Sequence, residues 1–100
     1  MTLADIRVNT ERLRADFDAL ADVGATIAGG VSRLALSNED LEARAWFANR
    51  LDDAGLLVRD DDAGNISGVL LMTGDPSGRS FLVGSHLDST VNGGRFDGSV

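Results

Sequence analysis

The 100-residue chain contains no cysteine and no lysine, and it has a single histidine and a single proline. Without cysteine, neither a disulfide scaffold nor a metal site with thiolate ligands can form. No apolar run approaches the roughly 20 residues that a bilayer crossing needs, and the first residues lack the apolar core of a secretory signal. We therefore expect a cytoplasmic protein that makes no use of a membrane.

Positive charge is scarce. Nine arginines face sixteen acidic residues, most of them aspartate, which gives a net charge of -7 at pH 7. Because this charge repels phosphate backbones and anionic lipid, binding to nucleic acid or to a membrane surface is disfavoured. Most of the aspartates, taken one at a time, are expected to be solvated surface groups.

The length and composition fit one small globular domain over residues 1–100, with 43% hydrophobic and 25% charged residues. Apolar spacing predicts a first helix over about residues 9–23, with Asn9 as N-cap and Gly24 as the stop. A second helix is predicted from Ser37 as N-cap to Gly55. Its inward stripe is predicted to comprise Leu41, Ala45, Ala48 and Leu51.

After residue 55 the pattern becomes that of strands. Short strands are predicted over residues 56–58, 66–72 and 80–85, with turns at residues 60–65 and 74–78. Gly68 is a weak point of the second strand. The third has a continuous apolar run, which favours a strand covered on both faces. Two helices ahead of about three strands predict an α/β layer in which the helices cover a sheet.

Residues 84–100 carry the chemistry that the sequence suggests. The only histidine, His86, follows the most apolar predicted strand, and ligands often lie at the carboxyl ends of such strands. Asp88, two positions later, would point to the same side as His86 and could fix its tautomer. The Gly93–Gly94 pair lets the backbone turn and bring Asp97 back towards His86.

Less specific interpretations stay open for each of these residues. A histidine beside an aspartate is more often a hydrogen-bonded surface pair than a metal site, and the glycine pair could be a simple hairpin turn. The combination of His86, Asp88 and a glycine-rich loop that returns Asp97 nevertheless suggests a hard or borderline divalent ion.

The same residues carry a family resemblance. The chain resembles the M20-type metallohydrolases, and within them the N-carbamoyl-L-amino-acid hydrolases of the hydantoinase/carbamoylase family. The matching stretches are GSHLDS (84–89), NGGRFDG (92–98), VNTERL (8–13), RLALS (33–37) and DAGNI (62–66). The implied fold is the N-terminal part of a mixed-sheet, zinc-peptidase-like catalytic domain.

The resemblance also implies roles for the site residues. It makes His86 a ligand of one metal, Asp97 the carboxylate that bridges two metals, and Asp88 the active-site acid that supports the histidine. It implies two divalent ions per full-length subunit, with Zn²⁺ expected and Mn²⁺, Co²⁺ or Ni²⁺ as substitutes. The implied reaction is hydrolysis of an N-carbamoyl-L-amino acid to the amino acid, CO₂ and ammonia, by an enzyme that forms a homodimer.

Members of this family are several times longer, and their general-base glutamate, remaining ligands and second domain follow the bridging aspartate. Glu11, Glu39 and Glu42 lie on the two predicted helices and cannot replace those groups. We therefore expect a truncated fragment that is inactive by itself.

Several alternatives remain. Allantoate amidohydrolase, β-ureidopropionase and the aminoacylases or peptidases of the same superfamily would use the same motif on another substrate. A truncated, non-catalytic α/β module is the alternative from a different functional class.

Overall fold

A computed structural model describes residues 2–72 and 78–96 of the chain. After a short 3-10 turn at Leu3–Asp5 come helix α1 (Thr10–Asp22), helix α2 (Asn38–Asp53) and the strands β1 (Leu57–Asp60) and β2 (Ile66–Val69). The predicted α/β class, with two helices ahead of the strands, is confirmed. Within the described part of the chain, no helix is both long and apolar enough to span a membrane.

Both helices begin and end where local chemistry predicts. The Asn9 side chain accepts a hydrogen bond from the Arg12 amide (3.0 Å), and the Ser37 hydroxyl accepts one from the Asp40 amide (3.1 Å). Each bond satisfies an amide that the first helical turn would otherwise leave without a partner. Just beyond the helices, Gly24 and Gly55 take φ values of 84° and 79°, which glycine adopts without a steric penalty.

The two strands form an antiparallel hairpin whose register pairs Leu57 with Val69 and Asp60 with Ile66. Residues of both strands contact α2, so this helix covers one face of the hairpin. Gly68 lies at the closest approach. A Cβ atom at this position would stand only 2.7 Å from Cδ2 of Leu51. The predicted weak point of the strand is therefore the place where helix and hairpin meet.

The acid-rich turn of the hairpin is organised by Asp61. Its carboxylate accepts hydrogen bonds from the side chain of Asn65 and from the amides of Asn65 and Ala63, at 2.7, 2.8 and 2.9 Å. These bonds lower the pKa of the Asp61 carboxyl, and the side chain of Asn65 makes the largest contribution. The acidic run is thus a turn-forming element.

The buried apolar residues among those described are few: Leu20, Ala21, Val31 and Ala43. The predicted inward stripe of α2 is partly wrong, because Leu41 and Ala45 are exposed and Ala43 is fully buried. The reason lies in the first turn of the helix. Asp40 points inward and accepts a hydrogen bond from the Leu36 amide (2.9 Å), and Ala43 shares its face one turn later.

The third predicted strand, residues 80–85, is not formed. Phe81, Leu82 and Val83 are 92%, 89% and 80% exposed, and in the described ranges the only paired strands are β1 and β2. The second strand is also shorter than predicted, because it ends at Val69. An apolar run indicates a capacity for burial, but a strand forms only where another strand lies beside it to accept its hydrogen bonds.

The surface of the chain is large for its mass. Its accessible area is 7,892 Å², whereas a folded monomer of 10.5 kDa is expected to expose about 5,400 Å². The radius of gyration, 15.4 Å, likewise exceeds the value of about 13 Å typical of a compact domain of this length. Much apolar surface that a larger domain would bury is therefore exposed to solvent.

We predict that Asn9→Ala lowers the free energy of unfolding by about 1 kcal/mol, because it leaves the Arg12 amide without its capping partner. Urea titration followed by circular dichroism measures the change. Asn49→Ala, at an exposed interior position of α2, is the matched control and should not destabilise the chain. Equal losses in the two variants would contradict the capping role.

Candidate functional site

The predicted pair of His86 and Asp88 is in contact. Nδ1 of His86 lies 2.8 Å from the backbone carbonyl oxygen of Asp88 and 3.2 Å from Oδ1 of its carboxylate. Two acceptors at Nδ1 favour the tautomer that carries its proton there, which leaves a lone pair on Nε2. The imidazole is 51% exposed, and among the described residues none forms a hydrogen bond with Nε2.

Asp97, the other predicted metal ligand, lies outside the described residues, which end at Phe96. Within the described ranges no group of three or more histidine, aspartate or glutamate side chains is arranged to hold a metal ion. The described part of the site therefore supplies one imidazole with its supporting carboxylate.

The segment after His86 is held against the loop between α1 and α2. The Ser89 amide donates to the carbonyl oxygen of Arg33 (2.7 Å), and the Arg33 amide donates to the Ser89 hydroxyl oxygen (2.8 Å). Ser89 is buried, and its hydroxyl lies within hydrogen-bond distance of the carbonyl oxygens of Val31 and Thr90. These contacts fix the chain three positions after the histidine.

The side chain of Arg33 adds a second set of bonds. Its Nε donates to the carbonyl oxygen of Leu87 (2.7 Å), and its Nη1 donates to the carbonyl oxygens of Leu20 (2.9 Å) and Val23 (2.7 Å). Arg33 is only 4% exposed. One guanidinium thus joins the C-terminal end of α1 to the peptide between His86 and Asp88.

The charge of this guanidinium is retained in the interior. Burial lowers the pKa of Arg33, while the carboxylates of Asp40 and Asp88 act in the opposite direction. An arginine remains protonated under such conditions, because the pKa of a guanidinium lies far above neutral pH. The Asp88 carboxylate of the candidate site and the buried Arg33 guanidinium therefore attract each other electrostatically.

Residues 92–93 dock on the same loop. The amide and carbonyl of Val31 exchange hydrogen bonds of 2.9 and 2.7 Å with those of Gly93, and the Thr26 hydroxyl donates to Oδ1 of Asn92 (2.6 Å). Gly30 permits this approach, since a Cβ atom there would stand 2.6 Å from the carbonyl oxygen of Gly93. Gly93 therefore forms a bridge to the loop, and no simple hairpin turn is centred on the glycine pair.

The last described residue, Phe96, packs against α1. Its ring meets that of Phe17 edge-on, with 6.1 Å between centroids, and the Arg95 guanidinium lies 5.6 Å from the Phe96 centroid. A shallow cavity of about 430 Å³ borders the aromatic pair. These contacts bring the chain immediately before Asp97 to the surface of α1.

Sequence reasoning missed Arg33 and Ser89. Residues 25–36 read as a weakly periodic loop, and the partners of Arg33 in the site segment lie 54 and 56 positions away. Two signals were available: both residues lie in stretches that resemble the family, RLALS (33–37) and GSHLDS (84–89), and Arg33 stands close to the apolar residues Val31 and Leu34.

The site geometry suits a metal ligand. Imidazole nitrogen is a common donor to Zn²⁺, and a ligating histidine usually donates its other N–H to a carboxylate or a carbonyl group. His86 meets both kinds of acceptor at Nδ1, with Nε2 on the other side of the ring.

Comparisons with known proteins point to one class of hydrolase. The chain is 43% identical over 96 residues to the N-carbamoyl-L-amino-acid amidohydrolase of Pseudomonas sp. (strain NS671), covering 95% of this chain and 23% of that protein. It is 44% identical over 79 residues to the allantoate amidohydrolase of Escherichia coli (strain K12), covering 79% of this chain and 19% of the relative. No protein-family model matches the sequence.

Comparison of the fold with solved structures agrees with the sequence comparison. The crystal structure of a hydantoinase/carbamoylase family amidase from Burkholderia ambifaria matches with a TM-score of 0.84 and 41% identity, over 91% of this chain and 22% of that one. The relatives are thus amidohydrolases, and the chain spans about a fifth of their length. It is homologous to one segment of the hydantoinase/carbamoylase family, which confirms the resemblance that its motifs indicate.

We predict that Gly30→Ala lowers the free energy of unfolding by about 1–3 kcal/mol, because the new methyl group would overlap the Gly93 carbonyl oxygen. Gly84→Ala is the matched control. No atom lies within 4 Å of a Cβ at that position, so its effect should stay within about 0.5 kcal/mol. Urea unfolding of both variants checks the difference, and a neutral Gly30→Ala would show that residues 92–93 do not dock as described.

Proposed function

We propose that the protein to which this chain belongs is a metal-dependent hydrolase of linear C–N bonds, with N-carbamoyl-L-amino acids as substrates. The observation that carries the proposal is the contact of His86 Nδ1 with Asp88, which leaves Nε2 available to a metal ion. The relatives named for this activity, at 43% identity over nearly the whole chain, support it.

Each predicted site residue has a part in the proposal. His86 is a metal ligand through Nε2, Asp88 holds the imidazole in the required tautomer, and Asp97 is the carboxylate shared by two ions. The ions are Zn²⁺, or Mn²⁺, Co²⁺ or Ni²⁺ in its place, and the complete enzyme is a homodimer.

A bound divalent ion would lower the pKa of a water molecule to near neutrality and polarise the carbonyl group of the substrate. The residues of this chain orient the donor atoms for it. The Asp88 carboxylate and carbonyl oxygen favour the proton on Nδ1 of the neutral imidazole, and in that tautomer the lone pair lies on Nε2. The half-exposed position of the pair leaves the ring open to a substrate from solution.

Allantoate is the second candidate substrate. The two allantoate amidohydrolases among the relatives are 44% and 39% identical to the chain over about four-fifths of its length. Allantoate also carries ureido groups, so the same cleavage of a C–N bond would apply.

In the protein expressed from its complete natural reading frame, we predict that His86→Ala reduces hydrolysis of N-carbamoyl-L-amino acids at least about 100-fold, because a metal ligand is lost. Release of ammonia in the presence of Zn²⁺ or Mn²⁺ measures the rate, with allantoate and N-acetyl amino acids as competing substrates. Arg59→Ala, on the exposed side of β1, is the control and should retain activity. An unaltered rate in the His86 variant, or a reading frame that yields only an inactive module, would overturn the proposal.

The 100-residue chain assayed alone is predicted to give no turnover with N-carbamoyl amino acids, even with added Zn²⁺ or Mn²⁺. The chain has a single histidine, and its described residues hold no group of three metal-binding side chains that could supply the ligands of a dinuclear centre. Robust hydrolysis that disappears with a chelator would contradict this expectation and would place the whole catalytic apparatus within these residues.

A further inference from the structure

We infer that Arg33 is a positioning residue for His86: its guanidinium fixes the Leu87 carbonyl group, and with it the backbone between His86 and Asp88, against the end of α1. The inference rests on the proposed function, because it takes His86 to be a metal ligand. It assigns a role in the site to a side chain more than fifty positions away in the sequence.

The side chain of Arg33 bonds to the carbonyl group that directly precedes Asp88. Leu87 O belongs to the peptide group that joins Leu87 to Asp88, and Nε of Arg33 holds it at 2.7 Å. The orientation of this peptide plane sets the direction in which the Asp88 backbone continues. That backbone carries the carbonyl oxygen lying 2.8 Å from Nδ1 of His86. A rotation of the peptide would therefore move the acceptor away from the ring.

Arg33 holds the segment on both sides of Asp88. Its side chain bonds to Leu87, while its backbone amide and carbonyl bond to Ser89. A residue fixed at its preceding and following neighbours has little freedom in φ and ψ. Asp88 thus presents its carbonyl and carboxylate oxygens to the imidazole from a backbone anchored by one residue.

The geometry of these bonds requires an arginine at position 33. Nε and Nη1 lie on different edges of a planar group, and they reach carbonyl oxygens on two separate parts of the chain, Leu87 on one side and Leu20 and Val23 on the other. A lysine ammonium offers its donors from a single atom and cannot span the same positions. Because Arg33 is 4% exposed, water has little access to replace the lost bonds.

A purely structural role of Arg33 would give a different experimental result. If Arg33 only anchored the end of α1, its replacement would reduce stability and leave the ring of His86 unchanged in the molecules that remain folded. The tautomer of His86 therefore separates the two roles. Since His86 is the only histidine, the ¹⁵N-labelled chain gives signals from one imidazole alone.

The experiment compares Arg33→Met with Arg44→Met in the metal-free 100-residue chain, with sucrose added to favour the compact state. Arg44 is the matched control, because its Nη2 also donates to a carbonyl oxygen, that of Gly64 (2.6 Å), away from the site. The ¹⁵N shifts of the imidazole should show the Nδ1–H tautomer in the wild type and in Arg44→Met. In folded Arg33→Met they should show a mixture of tautomers.

Calorimetry with Zn²⁺, on the protein expressed from its complete natural reading frame, is the second readout. Loss of a group that orients a ligand typically weakens metal binding about 10- to 100-fold, and we expect a loss in this range for Arg33→Met and none for Arg44→Met. A folded Arg33→Met with the wild-type tautomer overturns the inference and leaves the proposed function standing. Absence of Zn²⁺ binding by that complete wild-type protein counts against the proposed function, while the tautomer comparison in the 100-residue chain still decides the role of Arg33.

If Arg33→Met loses its helical circular dichroism signal, Arg33→Lys and Ser89→Ala replace it. Ser89→Ala leaves the guanidinium contacts intact and should keep the tautomer, whereas Arg33→Lys should lose it. A folded Arg33→Lys with the wild-type tautomer overturns the inference. Failure of both Arg33 variants to fold also overturns it, because such a failure assigns Arg33 a role in stability alone.

Discussion

The contact on which the rest of this structure depends is the one between the buried guanidinium of Arg33 and three backbone carbonyl groups. It joins the end of the first helix to the segment that contains the only histidine. Burial of a charged group is costly unless each of its donors finds an acceptor. Here Nε and Nη1 donate to three carbonyl oxygens, two of them at the C-terminal end of α1, and this end of a helix favours positive charge.

Around this contact the chain forms two small packed units rather than one large core. Val31 of the loop and Leu20 and Ala21 of α1 are buried, and α2 covers the hairpin through the close approach of Leu51 to Gly68. The apolar run from Phe81 to Val83 remains exposed beside them. Backbone hydrogen bonds, more than apolar burial, therefore hold the histidine-bearing segment in place.

The sequence allowed prediction of the features that depend on neighbours along the chain. Local interactions determine the helix N-caps at Asn9 and Ser37 and the helix ends before Gly24 and Gly55. The contact between His86 and Asp88 is also local, because the two residues are two positions apart. Features that depend on distant partners could not be predicted. Nothing local shows that Arg33 is buried against residues 87–89, and an apolar pattern at residues 80–85 does not reveal whether a neighbouring strand is present.

The separation between Arg33 and its partners has a consequence for the order of folding. Bonds to Leu87 and Ser89 close loops of 54 and 56 residues, whereas the helices and the β1–β2 hairpin need only contacts between near neighbours. Closing a long loop costs entropy before its contacts are gained, so non-local pairings form slowly. The histidine therefore reaches its final surroundings late in folding, after the helix whose end receives the arginine has formed.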